Sequence, residues 1–120
     1  MKRDHRLYID DILESIRKIE KYTEGLTIED FLRDDKSIDA VIRNFEIIGE
    51  AVKHIPGDIR EKYPDIPWKL MAGMRDKLIH QYFGIRRDVV WDTIKKRLPD
   101  VRSLMEEALR KMDEEMEKDR

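Results

Sequence analysis

The stretch KSIDAVIRNFEIIGEAVKHI, residues 36–55, decides the architecture. Its apolar residues Ile38, Val41, Ile42, Phe45, Ile48 and Val52 recur three and four positions apart, which lines one face of an α-helix; a half-buried strand would alternate at every second residue. Pro56-Gly57 closes the helix. Before it, a first helix is predicted from about Asp4 to Thr23, with Ile9, Ile12, Leu13, Ile16 and Ile19 on one stripe and Gly25 as a left-handed stop. Thr27 reads as the N-cap of a short helix through Phe31 and Leu32, with Glu29 and Asp30 at its positive end. After it, DIREKYPDIP (58–67) reads as a loose turn between prolines. Pro67 suits the first position of a third long helix that carries Leu70, Met71, Met74, Leu78 and Ile79 and ends near Phe83-Gly84. The small pair Ala72-Gly73 predicts close packing there, because a helical Gly costs roughly 1 kcal/mol against Ala. Asp88 opens the last helical stretch, with Val90, Trp91, Ile94 and Leu98 before Pro99, which either kinks it or restarts it. Val101, Leu104, Met105, Ala108, Leu109 and Met112 continue the stripe, and the charged end, about 113–120, is expected to fray. The expectation is an all-α, up-and-down bundle of four main helices plus short ones, in a single domain over 1–120.

Composition narrows the function classes. Charged residues reach 43%, which suits long solvated helices; the helical periodicity argues against disorder. There is no Cys, so a disulfide framework, a thiolate metal site and a cysteine nucleophile are excluded. No apolar run approaches the roughly 18 residues that a membrane span needs, and the N-terminus has no signal core. A cytoplasmic protein with no membrane partner is expected. The single Asn44 and single Gln81, beside many Glu, Lys and Arg, fit a heat-loving source. A net charge of −2 argues against a general nucleic-acid binder, but the distribution is uneven. Residues 68–102 carry nine Lys/Arg against four Asp/Glu, an excess that favours an anionic ligand in that segment.

That segment holds MRDKLIHQYFG, residues 74–84. Arg75 offers a permanent charge and planar donors matched to phosphate, and His80 can move a proton near neutral pH. Together they would suffice to cleave a phosphodiester with no metal and no cofactor. A base would activate a ribose 2′-OH, and the guanidinium would offset charge developing on phosphorus oxygens. Spacing constrains the idea: five positions place Arg75 and His80 about 140° apart around a helix. Asp76 and His80, four apart, share a face, so Asp76 could orient the imidazole. The Arg–His pair therefore needs either unwinding near His80 or a cleft composed from two chains. A lone Arg and His on a helix are otherwise more often surface or capping groups, and a charged His80 also suits a helix C-terminus. Lys77, Arg86 and Arg87 are candidate RNA-binding cations. Glu46 and Glu50 are acidic groups whose reach to such a cleft the spacing leaves open. His5 and His54 carry weaker cases, and Trp68 and Trp91 read as core or interface anchors.

Arg75-Asp76 followed by His80 and Tyr82 resembles the Arg-x4-His-x-Tyr motif of HepT toxins, within the HEPN superfamily. The likeness extends over RNFEIIGEAVKHIP (43–56), IPWKLMAGMRDKLIHQYFG (66–84) and DVVWDTIKKRLPDV (88–101), in that order. The resemblance implies a HEPN-type α-helical homodimer whose Arg75 and His80 face one cleft and act as a metal-independent endoribonuclease on RNA, with Asp76 in support. It also implies a type VII-style toxin–antitoxin pair. The partner would be a minimal nucleotidyltransferase antitoxin that transfers AMP from ATP onto Tyr82. An anionic adenylyl group beside the cleft would repel RNA, as a phosphate would. From a different class, the HEPN-type fold also serves as a non-catalytic, nucleotide- or partner-binding subunit of a nucleotidyltransferase complex. A plain dimeric helical scaffold is the third reading.

Overall fold

Residues 36–55 do form the central helix. A computed structural model describes the backbone of residues 3–80 and 86–119, with side chains throughout that range except at 75–80. Helix α3 (Asp35–Lys53) packs on one side against α1 (His5–Thr23) and on the other against α5 (Trp68–His80). Helix α7 (Leu98–Lys118) completes the bundle against α1, while the short α2 (Ile28–Leu32) bridges α3 and α6 (Arg87–Asp92). One further short helix, α4 (Gly57–Lys62), links α3 to α5. The described residues contain no strand, so the chain is all-α, as its periodicity predicts. No helix among them is long and apolar enough to cross a membrane.

Local chemistry sets the boundaries. The Asp4 carboxylate accepts the Arg6 backbone N–H at 2.9 Å and starts α1. Gly25, at φ +77°, takes the left-handed turn just beyond its end. Thr27 and Asp30 form a capping box: the Thr27 hydroxyl accepts the Asp30 N–H at 3.1 Å, and the Asp30 carboxylate accepts the Thr27 N–H at 3.2 Å. Asp34 caps α3 through the Ser37 N–H. The Trp68 indole donates to the Tyr63 carbonyl at 3.0 Å and anchors the start of α5, with Pro67 immediately before its first residue.

Three expectations need correction. The segment after Pro56 is not a loose turn throughout. Residues 57–62 form α4, because the Pro56 carbonyl accepts from both Ile59 and Arg60 and the half-buried Ile59 packs on the core. Gly73 is not explained by packing within the chain: among the described residues, nothing lies within 4 Å of where its Cβ would be. The charged end does not unwind from about 113; α7 stays helical to Lys118, with Arg110 bridging Glu107 and Glu114 and Lys62 holding Glu115. Pro99 lies in the first turn of α7, as the restart reading expects. Residues Thr93–Arg97 form a π-turn in which the Leu98 N–H reaches back five residues to the Thr93 carbonyl. Proline has no N–H to donate and its ring crowds the carbonyl four residues earlier, that of Lys95; the wider turn accommodates both effects.

The core is one cluster. Ile9, Ile12, Leu13, Ile16 and Ile19 of α1 meet Val41, Phe45, Ile48 and Val52 of α3, with Met71, Leu98, Val101 and Met105 closing it. At the bundle's edge, the Arg6 guanidinium beside Asp4 holds that carboxyl at about 2, well below its usual 3.8. A depressed folded-state value gives stabilisation that is present above the unfolded value and is lost as pH falls through the folded one. Asp4→Asn should therefore lower the melting temperature at pH 7 and flatten its fall between about pH 4 and pH 2, followed by circular dichroism. An acid limb identical to the wild type would show that this pair contributes nothing.

Candidate active site

Helix α5 carries the motif. Its α-helical backbone persists to His80, so Arg75, Asp76, Lys77 and His80 all sit on one regular helix. The backbone does not unwind before His80; the rest of the stretch up to Gly84, where unwinding is one of the two ways to bring Arg75 and His80 together, lies outside the described residues. The pair stays about 140° apart around the axis, and Asp76 stays one turn from His80. The side chains of these four residues, and Tyr82 altogether, lie outside the described residues.

The framework around the motif is well defined. Leu70, Met71 and Met74 of α5 line one small cavity, about 20 Å³, with Phe45 and Ile48 of α3 and with Thr93, Arg97, Leu98 and Val101. The short link through α4 joins the end of α3 to the start of α5, and the two helices pack together, which sets them antiparallel with the far end of α5 toward the start of α3. The chain returns at the same end of the bundle. Arg87, in the first turn of α6, donates to the Leu32 carbonyl at 2.9 Å and pairs with Asp35 at 2.9 Å. Arg86 pairs with Asp88 at 2.7 Å, which pulls the Asp88 carboxyl below its ordinary value and raises the Arg86 guanidinium. Both candidate RNA-binding arginines are thus engaged within the chain, and a phosphate there would compete with their carboxylates.

Glu46 and Glu50 face a different neighbourhood. They line a groove of about 460 Å³ with Arg3, Tyr8 and Asp11 of the N-terminal region, and no described residue of α5 contributes to it. Glu46 pairs with Arg43 at 3.7 Å, and Glu50 with His54 at 3.6 Å. His54 also stacks on Tyr8, with ring centroids 5.0 Å apart, and Arg3 lies 4.8 Å over the other ring's centre. These residues border a larger cleft of about 960 Å³ at the end of the bundle where α1 begins and α7 ends. The size of that cleft would ordinarily mark it as the site. Its electrostatics argue otherwise for a polyanion: Arg6 is paired with Asp4 and Asp113, and Lys62 with Glu115. Among the described residues, no group of three or more His, Asp or Glu side chains is arranged to hold a metal ion.

The family described as "Ribonuclease HepT-like" matches residues 12–108, a span that includes all of α5 and the motif. The chain belongs to the HepT-like ribonuclease family. It is 51% identical over 106 residues to a protein of Thermococcus cleftensis named "Probable ribonuclease HepT", covering 88% of this chain and 96% of that one. It is 45% identical over 116 residues to "Putative RNase MJ0127" of Methanocaldococcus jannaschii, covering 97% and 96%. A bacterial relative, "Putative RNase TTE0752" of Caldanaerobacter subterraneus, is 43% identical over 106 residues, covering 88% and 95%. No solved structure matches.

Within this HepT-like frame, sequence reasoning passed over the π-turn cations Lys95, Lys96 and Arg97, all exposed. The available signal was three consecutive cations two residues ahead of a proline inside a helical stripe. The α6 anchor can be tested directly. Arg87→Ala should cost about 1 kcal/mol, since its partners are partly exposed. Amide exchange at Val89 and Val90, whose N–H groups bond the Arg86 carbonyl, should speed up with it. Unchanged exchange would mean that α6 is held by its apolar contacts alone.

Proposed function

We propose that this chain is a metal-independent endoribonuclease, the toxin of a type VII-style toxin–antitoxin pair. The observation that carries the reading is the placement of Arg75, Asp76 and His80 on one unbroken helix inside the family-matched span. The relatives' names point to RNA as the substrate. Because the helix keeps Arg75 and His80 on different faces, the working site is composite, with the motif helices of two copies meeting in a homodimer. Gly73 supports this: a mid-helix glycine costs about 1 kcal/mol and meets nothing within its own described chain, so a second copy's approach accounts for it.

In this site His80 takes the proton of a ribose 2′-OH, and the oxygen attacks the adjacent phosphorus. The P–O5′ bond breaks, the departing 5′-oxygen is protonated, and a cyclic phosphate remains on the other fragment. Arg75 stabilises the negative charge on the non-bridging oxygens, and Asp76 fixes the imidazole's tautomer. Lys77 extends the cationic path for the strand, whereas Arg86 and Arg87 are held by Asp88 and Asp35. Purified protein should cleave RNA in EDTA, and Arg75→Ala or His80→Ala should reduce the rate at least a hundredfold without lowering the melting temperature by more than a few degrees. Wild-type rates in both variants would sink the assignment.

Regulation follows from Tyr82, two residues beyond His80. A minimal nucleotidyltransferase antitoxin using ATP would attach AMP there, and the bulky anion would exclude RNA. Incubation with such a transferase and labelled ATP should label the wild type and silence its nuclease activity. Tyr82→Phe should stay unlabelled and active; labelling of that variant would place the modification elsewhere.

A further inference from the structure

Among the described residues, many cations are matched to carboxylates. Arg3 pairs with Asp11, Arg6 with Asp4 and Asp113, Lys62 with Glu115, Arg86 with Asp88, Arg87 with Asp35 and Arg110 with Glu107 and Glu114. The π-turn differs. Between the buried anchors Ile94 and Leu98 it presents Lys95, Lys96 and Arg97 in succession, all exposed. Arg97 has no ion-pair or hydrogen-bond partner among the described residues. Lys95 sits 4.7 Å from the centre of the Trp91 ring and is held by a cation–π contact, not by a carboxylate. Lys96 has only a long 3.8 Å approach to Asp92, with its side chain 74% exposed. Among the described residues, these three consecutive cations thus lack a close carboxylate partner, an arrangement that favours an approaching anion.

Position gives this patch its meaning. Thr93 and Arg97 line the same small cavity as Leu70, Met71 and Met74, so the Arg97 side of the π-turn borders α5, while Lys95 borders a groove on the α1 side with Arg17, Glu20, Lys21 and Glu24. Met74 immediately precedes Arg75, and His80 lies roughly 9 Å further along the axis at the helical rise of about 1.5 Å per residue. We propose that Lys95, Lys96 and Arg97 form a phosphate-binding strip that holds the single-stranded RNA backbone beside the cleaved bond. The strip is a positioning element: it leads the strand across the turn, from Lys95 on the α1 side to Arg97 on the α5 side, and leaves the bond-breaking steps to Arg75 and His80. The widened turn matters because it places three consecutive cations in solvent between two core anchors, while Trp91 steadies the first of them. This proposal rests on the ribonuclease reading above, and the two can fail separately.

The test uses the full-length protein and a mixed-sequence single-stranded oligoribonucleotide. Binding is measured in a His80→Ala background across a salt series, with and without the triple change Lys95→Gln, Lys96→Gln and Arg97→Gln. Each backbone phosphate contact on a single strand contributes about 0.7 to the slope of log affinity against log salt. The triple variant should therefore lower that slope by about 2 and weaken binding on the order of tenfold at low salt. In the active background it should raise KM by a similar factor and leave kcat within about twofold. A charge-preserving set, Lys95→Arg, Lys96→Arg and Arg97→Lys, should keep the wild-type slope, as should the distant Lys111→Gln, Lys118→Gln pair. An unchanged slope in the glutamine variant would overturn the proposal, as would an equal loss in the charge-preserving one. Failure of the wild type to cut RNA would instead strike the ribonuclease reading, whatever the slope.

Discussion

Helix α3 has to bury itself on two sides at once. Ile38, Val41, Phe45, Ile48 and Val52 are all almost fully removed from solvent, and they are divided between α1 on one flank and α5 on the other. Burying each such side chain contributes about 1.5–3 kcal/mol relative to exposure, so this double contact outweighs every surface ion pair in the molecule. The other elements then have little freedom. Helix α1 must also meet α7, α5 must run antiparallel to α3, and α2 with α6 must cover the end that α3 leaves open. The motif helix is placed by this arrangement, with the Trp68 indole pinning its start to the Tyr63 carbonyl.

That dependence separates two kinds of surface. At the end where α1 begins, cations and carboxylates neutralise one another around a roomy cleft. Beside α5 the π-turn carries cations with no close carboxylate among the described residues, and the helix itself carries a glycine that none of those residues packs. A HepT-like ribonuclease must admit a polyanion, and net charge is a poor guide to whether it can. The local balance of paired and unpaired groups is the better one.

Much of this was legible in the sequence because it follows from period and punctuation. The stripes of α1 and α3 are strong enough to locate those helices to within a residue or two, and Thr27 and Gly25 mark their turns as capping chemistry requires. The motif on α5 was visible from residue type and spacing, and the spacing alone showed that one straight helix cannot align Arg75 with His80. What escaped reading had tertiary causes. Helix α4 forms because Ile59 finds the core and Pro56 offers its carbonyl, neither of which a proline-rich string announces. The grouping of Glu46 and Glu50 with Tyr8 and His54 depends on which flank of α3 receives α1. Arg86 and Arg87 read as free cations because their partners, Asp88 and the distant Asp35, only become partners in the fold.

The π-turn has a further consequence for the last helix, one of phase. Val90, Ile94 and Leu98 are buried four residues apart, whereas the buried positions beyond them, Val101, Met105, Ala108 and Met112, alternate spacings of three and four. At 3.6 residues per turn, a strict α-helix would carry Leu98 about 80° away from Val90. The wide turn takes up the surplus residue and brings both halves back to the same core. Residues 93–97 therefore act as a timing correction between two hydrophobic stripes. Removing one residue there would leave either half able to seat its stripe, but would set the halves against each other by the angle of a single residue.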